Sequence, residues 1–221
     1  MIKKLGTLAV MGSLLMSQSL MACEKHKQKP QQNLVEECPC DHQKPSWWKE
    51  GWALTFYSGP MTSQTTHKIL FEFNAQFAGS TLLALAVSKK LGSVLDNRLQ
   101  FELEADLAKY VGPQHNWEFD APVLVARWTK FPWNDTVRTT FAIGDGISFT
   151  SRLPKYEVER RGRDECARTL NYVMSELTFG VKSLPNWDFV LRYHHRSGMF
   201  GLFDGVHDAS TAFTAGIKFH F

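Results

Sequence analysis

The sequence has 221 residues and a formal charge of +3, enough chain for one all-β domain of about 200 residues with a short appendage and no second domain. With 16 Phe, 7 Trp and 5 Tyr it suits strands and membrane interfaces better than a helical bundle. Residues 1–22 carry Lys3 and Lys4 and no acid, so without them 23 of the 25 Lys+Arg face 22 Asp+Glu, a balance of +1. That excludes the basic footprint of a nucleic-acid-binding protein, and no nucleic acid is expected as a partner.

Residues 1–22 have two lysines, a largely apolar stretch and then small residues, the layout of a secretory signal peptide. The segment ends in Leu20-Met21-Ala22-Cys23, which resembles the bacterial lipobox and implies that Cys23 is lipidated. Glu24 follows it, as in the pattern that sends enteric-type lipoproteins on to the outer membrane. Ordinary cleavage nearby, leaving Cys23 a plain thiol, is the alternative. Residues 23–49 are polar and proline-punctuated and read as a lipid-anchored tether. Trp47 and Trp48 mark where it meets the membrane interface or the folded domain. Cys38, Cys40 and His42 supply only three ligands at a spacing that matches no well-known metal site. A disulfide to Cys166 in an oxidising envelope is preferred over a metal, with free thiols the other possibility.

Residues 50–221 read as an outer-membrane β-barrel. Past the signal there is no apolar run of about 18 residues, which excludes a spanning helix on length. Alternation replaces it. In "LQFELEADLA", Leu99, Phe101, Leu103, Ala105 and Leu107 fall on one side and Gln100, Glu102, Glu104 and Asp106 on the other. Such segments recur at 52–59, 79–90, 98–110, 116–128, 136–148, 171–182, 187–197 and 211–221. Several reach about ten residues, the length a tilted strand needs to cross a hydrocarbon layer, where sandwich strands average about five or six. The connections alternate short and long, and Trp128, Trp133 and Trp187 gather at the short-turn end as an aromatic girdle would. The expected fold is therefore an all-β, eight-stranded antiparallel transmembrane barrel; a soluble β-sandwich is the weaker alternative. The final segment places Phe213, Ala215, Ile217, Phe219 and Phe221 in one stripe, which resembles the insertion signal on the last strand of outer-membrane proteins. Eight strands leave an interior filled by side chains, so Glu102, Glu104, Asp106, Glu118, Asp120 and Glu176 are expected to pair inside with Arg138, Arg192, Arg196 and Lys218 rather than line a pore.

The seventh segment carries the candidate chemistry. Parity puts His195 and Ser197 on the lipid side with Phe189 and Leu191, and His194 and Arg196 on the inner side. The pair is about 6 to 7 Å apart at the Cα level, close enough for an imidazole to take the hydroxyl proton. Polar groups are disfavoured on that face unless something compensates them. The barrel of about 170 residues, the C-terminal Phe and His195-Arg196-Ser197 on the outward-running penultimate strand resemble the PagL family of lipid A 3-O-deacylases. The resemblance implies an eight-stranded outer-membrane barrel whose lipid-facing Ser/His pair cleaves an acyl ester of lipopolysaccharide, with lipid A as partner and no metal or organic cofactor. It implies Ser197 as nucleophile and His195 as base. The family's Asn after the serine is Gly198 here, and its acid, fourteen residues beyond the histidine, is Ala209. Asp208 is the expected acid, with Glu157 the alternative. Arg152, Lys155, Arg160, Arg161 and Arg163 of the long loop are candidates to hold lipid A phosphates. The competing class is a non-enzymatic barrel lipoprotein with a structural or binding role.

Overall fold

A strand with period-2 patterning can bury only one row, and which row it buries decides the solvent the protein is built for. The computed structural model describes residues 51–62, 76–163, 166–199, 202, 205–206 and 209–221, and for Arg160 and Arg161 the backbone alone. The leader 1–22, Cys23, the tether 23–49 with Trp47, Trp48, Cys38, Cys40 and His42, and Asp208 lie outside the described residues. Eight strands follow one another: β1 (Trp52–Thr62), β2 (Phe77–Val94), β3 (Leu99–Val111), β4 (Trp117–Trp128), β5 (Arg138–Thr150), β6 (Thr169–Gly180), β7 (Trp187–Ser197) and β8 (Thr211–His220). Each pairs antiparallel with the next and β8 returns to β1, so the sheet closes on itself. A short helix, α1 (Lys155–Arg161), lies between β5 and β6. Among the described residues no helix is long and apolar enough to cross a membrane.

The apolar rows face outward. Ile143 is 56% exposed and Phe56 50%, while Glu104 and Arg192 inside are each 1% exposed. Water would penalise that arrangement, whereas a hydrocarbon layer favours it, because closure leaves every ladder hydrogen bond internal. The expected eight-stranded membrane barrel is therefore what the sequence forms.

The strand limits differ from the alternation limits in an instructive way. β2 runs on through Val94 because its register slips between Lys90 and Gly92 and the ladder with β3 resumes, Val94 facing Leu99. Only the residues after it make the turn, with Leu95, Asp96 and Asn97 at φ of 54, 54 and 64°. β1 extends past Pro60 to Thr62 through a similar slip. β5 and β6 are each displaced two residues toward the loop end, at 138–150 and 169–180, where the ladder continues to pair Phe149 with Thr169.

The closing seam between β1 and β8 is tight. A Cβ on Gly59 would stand 1.9 Å from the Phe213 carbonyl oxygen, and one on Gly216 2.0 Å from that of Phe56. Gly216→Ala is expected to cost about 1–3 kcal/mol by forcing the last strand off the first. The check is the temperature at which the compact electrophoretic form of the barrel converts to the unfolded one, which should fall.

Inside, charged side chains interlock. Arg192 meets Glu104 at 2.8 and 3.1 Å, Asp106 at 3.1 Å and Glu176, with its guanidinium over the Tyr57 ring at 4.6 Å. Arg127 bridges Glu102 at 2.6 Å and Glu176 at 2.9 Å, and Lys218 also reaches Glu176. The interior is plugged by paired charge, as the inward row required.

Candidate active site on the outer face

β7 begins at Trp187 at the turn end and delivers His195 and Ser197 to the loop end, on the same outward row as exposed Phe189 and Leu191. His194 and Arg196 point inward and are fully buried. The ladder brings other polar residues to the same place. Asn171 of β6 is the register partner of Ser197, and Thr211 of β8 is that of His195. His195 Nδ1 lies 2.8 Å from Thr211 Oγ1. When Nδ1–H donates to that hydroxyl, Nε2 keeps its lone pair and is the basic nitrogen of the ring. Tyr193 stacks beneath, its ring 5.6 Å from the imidazole and 5.4 Å from Phe213. Although His195 is on the outward row it is only 7% exposed; Ser197 is half-buried beside it.

The loop after Ser197 is shaped around it. Met199 N–H donates to Ser197 Oγ at 3.1 Å, and Met199 holds a positive φ of 44°, a conformation costly for a non-glycine residue and frequent near functional sites. Gly198 admits no side chain, because a Cβ there would lie 1.7 Å from the Val206 carbonyl oxygen. Any side chain at this position, an asparagine's included, would collide with the Val206 carbonyl.

Two further polar residues belong to this face. Asp145 lies on the outward row of β5 with exposed Phe141, Ile143 and Phe149, where a bare carboxylate is strongly disfavoured. Asn171 Nδ2 donates to its oxygens at 3.2 and 3.1 Å and to the Gly146 carbonyl at 2.9 Å. Among the described residues, Oδ1 of Asn171, the register partner of Ser197, is buried with no hydrogen-bond partner. Asp145, Asn171 and Thr211 were not singled out from the sequence, though an acid in the Phe141, Ile143, Ile147, Phe149 row was a readable signal.

The remaining expected site residues divide. Glu157, the alternative acid, sits in α1 with Oε1 on Arg196 Nη1 at 2.7 Å and on Ser210 N at 3.2 Å. It is committed to the inward row, on the other side of the sheet from His195, so it does not orient that imidazole. Arg152 and Lys155 line a groove of about 1120 Å³ at the loop end, with Arg163, Arg168 and Leu202. Lys155 also pairs with Glu159 at 3.5 Å. Arg160 and Arg161 have helical backbone in α1. The groove reaches Thr169, two residues from Asn171 on the same outward row. Below His195, outward grooves of about 480 and 860 Å³ meet at Ser175, Tyr193 and Phe213. The order along the barrel is thus a basic groove, a polar row and an apolar groove.

No family model matches the sequence, and no curated protein matches it. In structure the chain is similar to the outer-membrane enzyme PagL, at 12% identity and a TM-score of 0.52, over 76% of this chain and 99% of that one. It is also similar to Neisserial surface protein A (10% identity, TM-score 0.45, covering 77% and 96%). A third is OprG of Pseudomonas aeruginosa (10% identity, TM-score 0.35, covering 78% and 96%). With the outward apolar belt, the likeness shows an eight-stranded barrel of the bacterial outer membrane.

Proposed function

We propose that this barrel is an outer-membrane esterase that hydrolyses an acyl ester of lipid A with Ser197 and His195. One observation carries the reading. The outward row of Asn171, His195, Ser197 and Thr211 stands between a basic groove above and an apolar groove below, the order in which an amphiphile presents phosphate, ester and acyl chain. Ser197 Oγ attacks the ester carbonyl while His195 Nε2 takes its proton; that proton then leaves with the sugar oxygen. Water, deprotonated by the same nitrogen, attacks the acyl-enzyme and releases the fatty acid and Ser197. Met199 N–H, which donates to Oγ at rest, is the backbone donor proposed to take up charge on the carbonyl oxygen. Thr211 holds the ring, and Asp208 is the acid expected to complete the triad. Arg152 and Lys155, with Arg160 and Arg161 of the same loop, bind the phosphates. The chemistry calls for no metal and no organic cofactor.

The test is release of free fatty acid from lipid A by the detergent-purified barrel. Release that requires Ser197 supports the reading; no release from lipid A or from simpler acyl esters overturns it. Asn171→Leu removes a buried acceptor beside the nucleophile, and kcat/KM for lipid A, whose acyl groups carry amide and hydroxyl donors, should fall about tenfold. Arg152→Gln with Lys155→Gln should raise KM and leave kcat unchanged, by a factor that shrinks as salt rises. The shielding of His195 favours a second reading, a barrel that holds lipid at this row without cleaving it; phosphate-dependent lipid A binding without fatty-acid release would select it.

A further inference from the structure

The interior charge leaves a gap near the loop end. Arg192 is taken by Glu104 and Glu176, and Arg196 by Glu157 at 2.7 Å, which leaves Glu118 Oε2 at 3.6 Å from Arg196. Glu118 and Asp120 are two residues apart on the inward row of β4 and fully enclosed. Between them stands His194 of β7, with Nε2 2.7 Å from Glu118 Oε1 and 3.8 Å from Asp120 Oδ2. Among the described residues Glu118 Oε2 has no hydrogen-bond partner, and Asp120 has at most the hydroxyl of Ser148, its register partner. Two buried carboxylates so poorly compensated are costly, by several kcal/mol per ion.

The other ring nitrogen faces two tyrosine hydroxyls. Tyr57 gives its only hydroxyl hydrogen to Asp106 Oδ1 at 2.8 Å, so toward His194 Nδ1, 3.2 Å away, it can only accept. Protonated on Nδ1 alone, His194 turns its Nε2 lone pair toward the two carboxylates, a place for a cation; protonated on both nitrogens, it pairs with Glu118 as an imidazolium. Tyr172 Oη, 3.1 Å from the same Nδ1, donates or accepts there according to which ring nitrogen carries the proton.

We propose that Glu118, Asp120 and His194 bind one divalent cation inside the barrel. One ligand atom from each lies within 4.8 Å of the other two, a spacing that a single ion can bridge. An imidazole with two carboxylates and no thiolate suits Zn²⁺ or Mn²⁺ better than copper(I), which prefers sulfur, or Ca²⁺, which prefers oxygen alone. The ion would pin β4 to β7 across the lumen. Because His194 and His195 are consecutive, it would also steady the strand that carries the outward imidazole. The inference holds whether or not the outer face is an esterase.

The experiment uses the full chain, folded in detergent, stripped with a chelator and reloaded with Zn²⁺ or Mn²⁺. One equivalent per chain by elemental analysis, with a higher unfolding temperature than the stripped form, is the expected result. Asp120→Asn, nearly isosteric, should weaken binding by more than the roughly 100-fold that loss of an outer-shell partner causes. X-ray absorption of the zinc-loaded wild type needs no variant to fold and should show nitrogen and oxygen ligation. Metal at buffer background after reloading, unweakened binding by Asp120→Asn, or sulfur ligation would each overturn the proposal.

Discussion

Ser197→Ala is expected to lower fatty-acid release from lipid A by about 10³-fold or more while leaving the barrel as stable as before. On the proposed mechanism the loss is large because the hydroxyl is the attacking atom. The stability is spared because Ser197 is half-buried and its described hydrogen bond is one accepted from Met199 N–H, and such sites usually change stability by less than about 0.5 kcal/mol. His195→Gln should produce a similar loss. The two losses should not multiply in the double variant, because nucleophile and base act as one unit. Initial rates on detergent-solubilised lipid A, together with the heat-conversion temperature of each variant, check both halves.

Arg192→Met should be the most damaging single change in the interior. The guanidinium is the shared partner of Glu104, Asp106 and Glu176, with 1% of its surface exposed. Its removal leaves carboxylates facing one another in a lumen that admits little water, and breaking a buried pair in this way costs about 3–5 kcal/mol. The variant is expected to unfold at much lower urea concentration than wild type, or to fail to reach the compact form. Adding Glu104→Gln should recover part of the loss, since it removes one of the uncompensated charges. A single variant as stable as wild type would contradict the network described for the lumen.

The fold was legible where one physical rule governs the residues. Leu99, Phe101, Leu103 and Leu107 announce a strand with one lipid face, and the same parity assigned Glu104, Arg192 and Arg196 to the lumen. Strand ends were less legible because the ladder continues where the apolar stripe stops, as in β2 beyond the slip at Gly92. The proposed nucleophile and base could be picked out together because they share one strand. Asn171 and Thr211 were not, since each meets its partner only through the register of a neighbouring strand. The clash between a Cβ at Gly198 and Val206 likewise depends on a loop that returns from elsewhere. Glu157 looked available as an acid because sequence does not reveal that Arg196 and Ser210 already hold it.

The central claim is that the outward row cleaves an acyl ester of lipid A, and the most direct measurement is the mass of lipid A from cells making the wild-type protein or Ser197→Ala. The account predicts lipid A lighter by one acyl chain with wild type and of full mass with Ser197→Ala, both proteins being present and folded in the outer membrane. Identical lipid A masses in the two strains, with the wild-type barrel folded in place, would contradict it.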